Sequence, residues 1–360
     1  SLNMSAKSTL ENLRARIDKI DHELLRLINE RVSLAAKVGT DKAAREESVY
    51  RPEREAQIID RLVHENQGPL SAEATSFIFR EIISLARSAE TQITIAALGP
   101  SGTFSEQAAY RLFGHQISLV EAISIEDVFR LTEAGEALYG VVPVENSTEG
   151  GVNSTLDLLL DTPLVISNEV ELKVAHCLLA QPGAGPPAQI AAHQQALAQC
   201  RQWLAAHFPG VPLVAKASNA EAARSAGGDK TTYAVASATT APIYDLEIVV
   251  RNIEDNPGNT TRFLVLSTET VGRSGRDKTS LVMSNTNQPG ALYQQLAPLA
   301  DAAISMTRIE SRPMRAGLWE YVFFVDIEGH IEDSKVEAAV EAIKKESAFF
   351  KVLGSYPRGL

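Results

Sequence analysis

Near the start of the sequence, Arg14, Arg31 and Lys42 accompany a stretch with no Pro between Leu10 and Gly39. Apolar residues recur there at Leu13, Ile17, Ile20, Leu24, Leu27, Leu34 and Val38, in alternating three- and four-residue steps. That spacing is a heptad-like seam on one helix of about 30 residues, roughly 45 Å long. Arg31 takes the seam position between Leu27 and Leu34. A guanidinium in an apolar stripe is costly unless an anion or dense hydrogen bonding compensates it. Lys42, eleven residues on, returns to within about 20° of Arg31 around the helix, and Arg14 flanks the same stripe. Two readings stay open on spacing alone: Arg31 fixes the register of a helix pair, or the cations share an anionic ligand. A helix this long cannot bury its stripe alone, so partner helices or a second chain must cover it. Further helices are expected from Glu53 to about Glu65 and from Ser71 to Glu90.

A second group of residues suited to chemistry lies at strand-to-helix junctions rich in hydroxyls and amides. Gly99-Pro100-Ser101-Gly102-Thr103-Phe104-Ser105-Glu106 follows a short apolar strand at Ile93–Leu98. Val142-Pro143-Val144-Glu145-Asn146-Ser147-Thr148-Glu149-Gly150-Gly151 leads into a helix from about Asn153 to Leu160, and Ala217-Ser218-Asn219 into a third helix. Any one of these is an ordinary capped helix; three in one α/β unit favour a cleft for a small anion. Gly99 and Gly102 are not a dinucleotide fingerprint, because no third glycine completes it. The Pro/Gly stretch Gln181–Pro187 is expected to pass between two lobes.

After a polar linker at Gly272–Asp277, strands at Thr279–Asn285, Ser305–Ile309, Leu318–Ile327 and Phe349–Leu353 alternate with helices at Gly290–Ala303 and Asp333–Ser347. That βαββαβ order is ferredoxin-like. The 360 residues suit three domains, expected at 4–90, 91–271 and 278–360. The net charge of −11 is uneven: residues 1–90 carry 14 Lys+Arg against 15 Asp+Glu, the remainder 20 against 30. Such an acidic surface repels nucleic acid and anionic membranes, so neither is expected as a partner. No apolar run approaches the roughly 18 residues of a membrane span, and no secretion signal is evident. Cys177 and Cys200 form no CxxC and no Cys/His ligand spacing, so a reducing, cytoplasmic setting without metal is expected.

Leu13-Arg14-Ala15-Arg16-Ile17-Asp18-Lys19-Ile20-Asp21, Ile28-Asn29-Glu30-Arg31, Lys42 and Val49-Tyr50-Arg51-Pro52-Glu53-Arg54-Glu55 resemble the all-helical chorismate mutases. The resemblance implies a site shared between two intertwined chains. Arg14, from the partner chain, and Arg31 would hold the two substrate carboxylates. Lys42 would reach the ether oxygen, Glu55 the ring hydroxyl, and Arg54 would orient Glu55. A Claisen rearrangement of chorismate to prephenate needs no nucleophile and no base, only a compact dianion and charge stabilisation at the breaking C–O bond. Two departures stand out. Arg51 replaces an acid found in some members, and on the third helix Ala86 replaces a serine. Glu90 falls where a second donor to the ether oxygen belongs, a role it can fill only when protonated.

GPSGTFSEQAA, VPVENSTEGGVN, His193–Cys200 and Asn259-Thr260-Thr261-Arg262-Phe263 resemble prephenate dehydratases, which are two-lobed like the type II periplasmic binding proteins. The resemblance makes Thr261 the catalytic residue. It lines the cleft with Glu145, Asn146, Ser147 and Thr148 from one loop, Thr103 and Ser105 from another, and Gln199 and Ser218 from the second lobe. A family serine before His193 is Ala192 here. Prephenate loses carboxylate and ring hydroxide together, driven by aromatisation, and a hydroxyl such as Thr261 can donate a hydrogen bond to the departing oxygen. Arg262 would either anchor a substrate carboxylate or pair structurally.

Asn287, Pro289, Gly290, Ala291 and Leu292, with Glu310, Ser311, Arg312 and Pro313, resemble the phenylalanine-binding signatures of the ACT regulatory domain. Gly290 permits close backbone approach at a helix N-terminus, which suits an amino-acid carboxylate. Taken together, the segments resemble the bifunctional chorismate mutase–prephenate dehydratases. The implied architecture is an all-α mutase domain, an α/β two-lobed dehydratase domain and an α+β ferredoxin-like ACT domain. The implied ligands are chorismate, prephenate and the feedback inhibitor L-phenylalanine, without cofactor, in a homo-oligomer of at least two chains. Two alternatives are a dehydratase whose helical segment only dimerises and a non-catalytic amino-acid sensor. The Arg14, Arg31, Lys42 and Glu55 set opposes the first, and Thr261 the second.

Overall fold

The computed structural model describes residues 2–44, 48–285, 287–314 and 321–359. Two compact units emerge: Ser1–Arg51, Ile59–Ile93 and Phe113–Ile117 in one, and Pro52–Ile58, Thr94–Leu112 and Ser118–Leu360 in the other.

The first unit is helical. Helix α1 (Leu2–Ala44) is longer at both ends than its apolar seam. Pro52 opens α2 (Pro52–Glu65), with its fixed φ and missing N–H suited to a first turn that also carries Glu53 and Glu55. Ser71 caps α3 (Ala72–Glu90), its Oγ accepting from the Ala74 N–H at 3.0 Å. α1 packs against α3. Residues 113–117 lie on α3 through the buried Arg87, which donates to the Phe113 carbonyl at 3.0 Å and stacks over the rings of Tyr50 and Phe113. The α1 stripe stays about half exposed, from Leu27 at 46% to Ile20 at 57%. Among the described residues, the seam is only partly covered.

Besides the start of α2 (Pro52–Ile58), the second unit holds β1 (Thr94–Leu98), α4 (Phe104–Phe113, its last residue in the first unit), β2 (Ser118–Ala122), α5 (Ile125–Glu133) and β3 (Tyr139–Asn146). The two-residue β4 (Gly150–Gly151), α6 (Asn153–Asp161) and β5 (Val165–Lys173) follow. Together with a late strand, β11 (Thr260–Ser267), they build a sheet of order β2-β1-β3-β11-β5, with β4 on β3. Between β5 and β11 the chain makes a second lobe. Its elements are β6 (Cys177–Ala180), β7 (Gln189–His193), α7 (Gln194–Gln199), α8 (Arg201–His207), β8 (Leu213–Lys216), α9 (Asn219–Gly228), β9 (Thr232–Ala236) and β10 (Glu247–Val250). Its sheet order is β10-β6-β9-β7-β8. The stretch Gln181–Pro187 therefore joins two strands of one sheet and does not pass between lobes. The crossings are residues 174–176 and 251–259, tied side by side by Val174 N–H to Asn259 carbonyl and Ile253 N–H to His176 carbonyl bonds.

The chain ends in β12 (Asp277–Ser284), α10 (Ala291–Asp301), β13 (Met306–Pro313), β14 (Tyr321–Glu328), α11 (Ser334–Lys345) and β15 (Phe350–Pro357). The sheet order β13-β14-β12-β15 is ferredoxin-like. One face of this sheet packs on the first lobe. Val282, Val322, Phe324, Leu353 and Tyr356 share a core with Val142, Val144, Leu156, Leu159, Ile166 and Leu264. Lys351 Nζ closes the end of α6, donating to the Leu159 and Thr162 carbonyls at 2.8 and 2.6 Å.

Candidate active sites and effector module

In the helical unit, α1 and α3 bring Lys42 and Glu90 together. Gly39 sits between them, and a Cβ there would lie 2.5 Å from Glu90 Cγ. Among the described residues, the buried Glu90 Oε2 has no hydrogen-bond partner. Burial pushes the Glu90 carboxyl above its ordinary range, against the opposing pull of Lys42 and Arg87. Arg31, half-buried and already engaged by a neighbour, lies eleven residues back along the same helix. Arg14 is exposed and a further seventeen residues away, roughly 25 Å along the axis. No small dianion spans that distance, so one chain cannot present Arg14 and Arg31 to the same substrate. Glu55 (buried) and Arg54 (exposed) start α2 in the second unit.

In the two-lobed region the strand directions converge. β1 runs parallel to β3, and β11 runs antiparallel to it. The C-terminal ends of β1 and β3 and the N-terminal end of β11 therefore share one edge of the sheet. That edge carries Thr103, Ser105, the Asn146–Glu149 loop and Thr261. In the second lobe β7 is parallel to β8 and β9, which puts Ser218 and Ser237 beyond the same edge. Hydrogen bonds join the two lobes there: Gln107 Nε2 to Ser237 Oγ at 2.9 Å, Thr240 Oγ1 to the Gly102 carbonyl at 3.1 Å and Gln195 Nε2 to Glu149 Oε2 at 2.5 Å.

The centre of this edge is a cross-strand pair, Asn146 opposite Thr261. Asn146 Oδ1 accepts from the N–H groups of Thr148 and Glu149 at 3.0 and 3.2 Å, which fixes the amide orientation. Asn146 Nδ2 then donates to Thr261 Oγ1 at 2.9 Å. With that lone pair used, the Thr261 proton is left to donate elsewhere. Ser147 and Thr148 hydroxyls donate to Asn259 Oδ1 at 3.3 and 3.2 Å, and Ser147 Oγ accepts from Thr260 N–H at 2.9 Å.

Other expected residues are spent on local structure. Thr103 Oγ1 donates to the Leu98 carbonyl at 2.6 Å, Ser105 is buried, and Ser218 caps α9 through Glu221 N–H at 3.0 Å. Gln199 Oε1 accepts from His176 Nε2 at 2.7 Å. Arg262 and Glu145 face away from Thr261 and Asn146, because neighbouring residues in a strand alternate faces. Of the two roles open to Arg262, the structure places it in the structural one: its Nε meets Glu169 at 2.7 Å within a buried cluster.

Two residues of this region escaped the sequence reading. Asn259 lies inside the Asn259–Phe263 motif, yet nothing in it marks the side chain as a clamp on the Asn146–Glu149 loop. His176 belongs to no motif. It is buried at a lobe crossing, edge-on to Phe104, and burial lowers its pKa, so it stays neutral.

In the ferredoxin-like module, Gly290 adopts φ 80° at the start of α10, a left-handed conformation that favours glycine. Asn287, Pro289 and Gly290 are exposed; Ala291 and Leu292 are half-buried. Along β13, Ser311 and Pro313 are exposed, while Glu310 and Arg312 turn toward the first lobe. Among the described residues, no group of three or more His, Cys, Asp or Glu side chains is placed to hold a metal.

Comparison with known proteins follows the same division. The chorismate mutase type II family model matches residues 13–91, the prephenate dehydratase model 95–271 and the ACT domain model 279–345. A bifunctional chorismate mutase/prephenate dehydratase of Neisseria gonorrhoeae is 46% identical over 348 residues, 96% of either chain. Another, of Stutzerimonas stutzeri, is 44% identical over 364 residues, covering 99% of this chain and all of that one. A crystal structure of prephenate dehydratase from Arthrobacter aurescens in complex with L-Phe superposes with a TM-score of 0.68 at 34% identity, covering 74% of this chain and 90% of that one. With all three modules matched in order along nearly its whole length, the chain belongs to the family of bifunctional chorismate mutase/prephenate dehydratases.

Proposed function

We propose that this chain rearranges chorismate to prephenate in its helical segment and converts prephenate to phenylpyruvate between the two lobes, with L-phenylalanine as feedback inhibitor. For the first reaction, Arg31 and a second chain's Arg14 hold the two carboxylates of the compact substrate. Lys42 and a protonated Glu90 donate to the ether oxygen as charge develops on it, and Glu55, oriented by Arg54, receives the ring hydroxyl. The second chain also covers the exposed α1 seam, so the protein works as a homo-oligomer of at least two chains.

For the second reaction, Thr261 donates to the departing ring hydroxide while carboxylate is lost and the ring aromatises. The observation that carries this reading is the Asn146 Nδ2 to Thr261 Oγ1 bond, which holds the hydroxyl oxygen in place as acceptor while its proton can donate. Ser147, Thr148, Thr103, Ser105, Gln199 and Ser218 surround the substrate. Phenylalanine binds at Asn287–Leu292 and Glu310–Pro313. Two buried free cysteines, with burial pushing the Cys200 thiol up to about 12, suit a cytoplasmic enzyme. Among the described residues no helix is long and apolar enough to cross a membrane.

A time course with chorismate tests the whole reading, with prephenate and phenylpyruvate both quantified. The expected result is sequential appearance of the two products, with phenylpyruvate suppressed by phenylalanine. Thr261→Ala should accumulate prephenate, with dehydratase turnover down at least about 100-fold and mutase turnover unchanged. Wild-type dehydration by correctly folded Thr261→Ala would remove Thr261 from its role. Unconsumed chorismate beside consumed prephenate would reduce the helical segment to a dimeriser.

A further inference from the structure

The residues next to the catalytic pair are themselves a cross-strand pair, Glu145 opposite Arg262, on the other face of β3 and β11. That face is where the ferredoxin-like sheet rests. Arg262 is buried and each nitrogen of its guanidinium makes a hydrogen bond. Nε donates to Glu169 at 2.7 Å, one terminal nitrogen to Asp326 at 2.7 Å and the other to the Tyr356 hydroxyl at 2.8 Å. Two of the three partners, Asp326 on β14 and Tyr356 on β15, belong to the C-terminal module. Ser280 on β12 ties those two together at 2.6 Å to each. Glu145 is held by the same module, with Arg308 Nε of β13 at 2.9 Å from its carboxylate.

The next two inward-facing residues of β13 continue along the catalytic loop. The Glu310 carboxylate occupies the space a Cβ on Gly151 would need, so a larger residue there would displace it. Arg312 binds Asn153 and, at 2.7 Å, Asp157 at the start of α6. One strand thus holds the loop that carries Asn146 at both ends. That strand also bears Glu310 and Arg312, two residues assigned above to phenylalanine. An effector that engages them competes for side chains that hold the catalytic loop.

We infer that Glu145 and Arg262 are positioning residues for Asn146 and Thr261. Through them and Arg308, the state of β13 and the β14–β15 pair sets dehydratase turnover when phenylalanine binds. Burial makes the transmission stiff: breaking one ion pair strands a charge, so the strands move with the module rather than relaxing locally. The catalytic hydroxyl is one residue from the joint, which makes the effector's differential affinity for two arrangements a change in Thr261 geometry. The inference rests on the effector reading above.

The test uses the full-length chain with Arg308→Gln, Arg308→Lys and Tyr356→Phe; Arg308 also pairs with Glu310 of the effector segment, so Tyr356→Phe, whose hydroxyl meets only Arg262 and Ser280 among the described residues, is the variant clear of that segment. Labelled phenylalanine binding by equilibrium dialysis, dehydratase kcat and KM with and without phenylalanine, and mutase turnover as a check of folding are measured together. In Tyr356→Phe, binding is expected within about threefold of wild type, and in both Tyr356→Phe and Arg308→Gln inhibition at saturation is expected to weaken at least tenfold. Any basal change should fall on kcat rather than KM, since Thr261 acts at bond breaking. Arg308→Lys should regain part of the response. Full inhibition in both Arg308→Gln and Tyr356→Phe with phenylalanine bound overturns the inference alone. Loss of phenylalanine binding in Tyr356→Phe also overturns it, by making the joint part of the effector site. A wild-type enzyme that phenylalanine neither binds nor inhibits overturns the effector reading and this inference with it.

Discussion

Glu90 shows how one carboxyl can work as a donor. Its buried oxygen faces no hydrogen-bond partner, and desolvation raises its pKa despite Lys42 and Arg87. The protonated form therefore persists to higher pH than an exposed glutamate allows, and it is the form that can donate. Mutase turnover is expected to be full below the raised pKa and to decline as pH rises through it. A pH–rate profile of Glu90→Gln should be flat across that limb, because an amide donates at every pH. A Glu90→Gln profile superposing on wild type would refute the assignment. At this scale the sequence was legible in residue types and less so in orientation. Alternation places Thr261 and Arg262 on opposite faces of β11, but which face meets the cleft depends on the sheet stacked behind.

At the scale of elements, α1 meets α3 where Gly39 lies against Glu90. Glycine costs an interior helix position roughly 1 kcal/mol relative to alanine, and here it makes room. Gly39→Ala should therefore gain helix propensity yet push the Glu90 side chain aside. Mutase kcat is expected to drop about tenfold or more, with dehydratase turnover on supplied prephenate unchanged. Parallel assays of both activities check this; equal losses in both would point to misfolding instead. The helices were readable because their seams and caps are local: Ser71 and Pro52 mark the starts of α3 and α2 to within a residue. β13 and β15 run four residues past the ends expected from their apolar runs. Their extra residues pair with β14 and β12, partners that local sequence does not name. The same reason misassigned Gln181–Pro187, since a Pro/Gly loop looks alike within a sheet and between sheets.

For the whole molecule, the separation of Arg14 from Arg31 along one helix supports the proposal of a mutase site shared by two chains. Mixing Arg14→Ala and Arg31→Ala chains, each inactive alone, should recover about one quarter of wild-type mutase sites at equal stoichiometry, because each mixed dimer rebuilds one intact site. Mutase assays after co-refolding check the recovery, and no recovery would place both arginines in single-chain roles. The dehydratase, whose pair Asn146 and Thr261 lies within one chain, should be indifferent to the mixing. By itself the sequence determined the three-part order, the cationic and hydroxyl-bearing residues, and the helix that needs a partner. These are encoded in composition, periodicity and capping, which act over a few residues. Only the tertiary structure decided that Asn146 donates to Thr261, that Arg262 and Glu145 face the C-terminal sheet, and that β13 meets both ends of the loop that follows Asn146. Those outcomes depend on strand register and on which sheet faces are buried together, where shifting one residue exchanges the two faces.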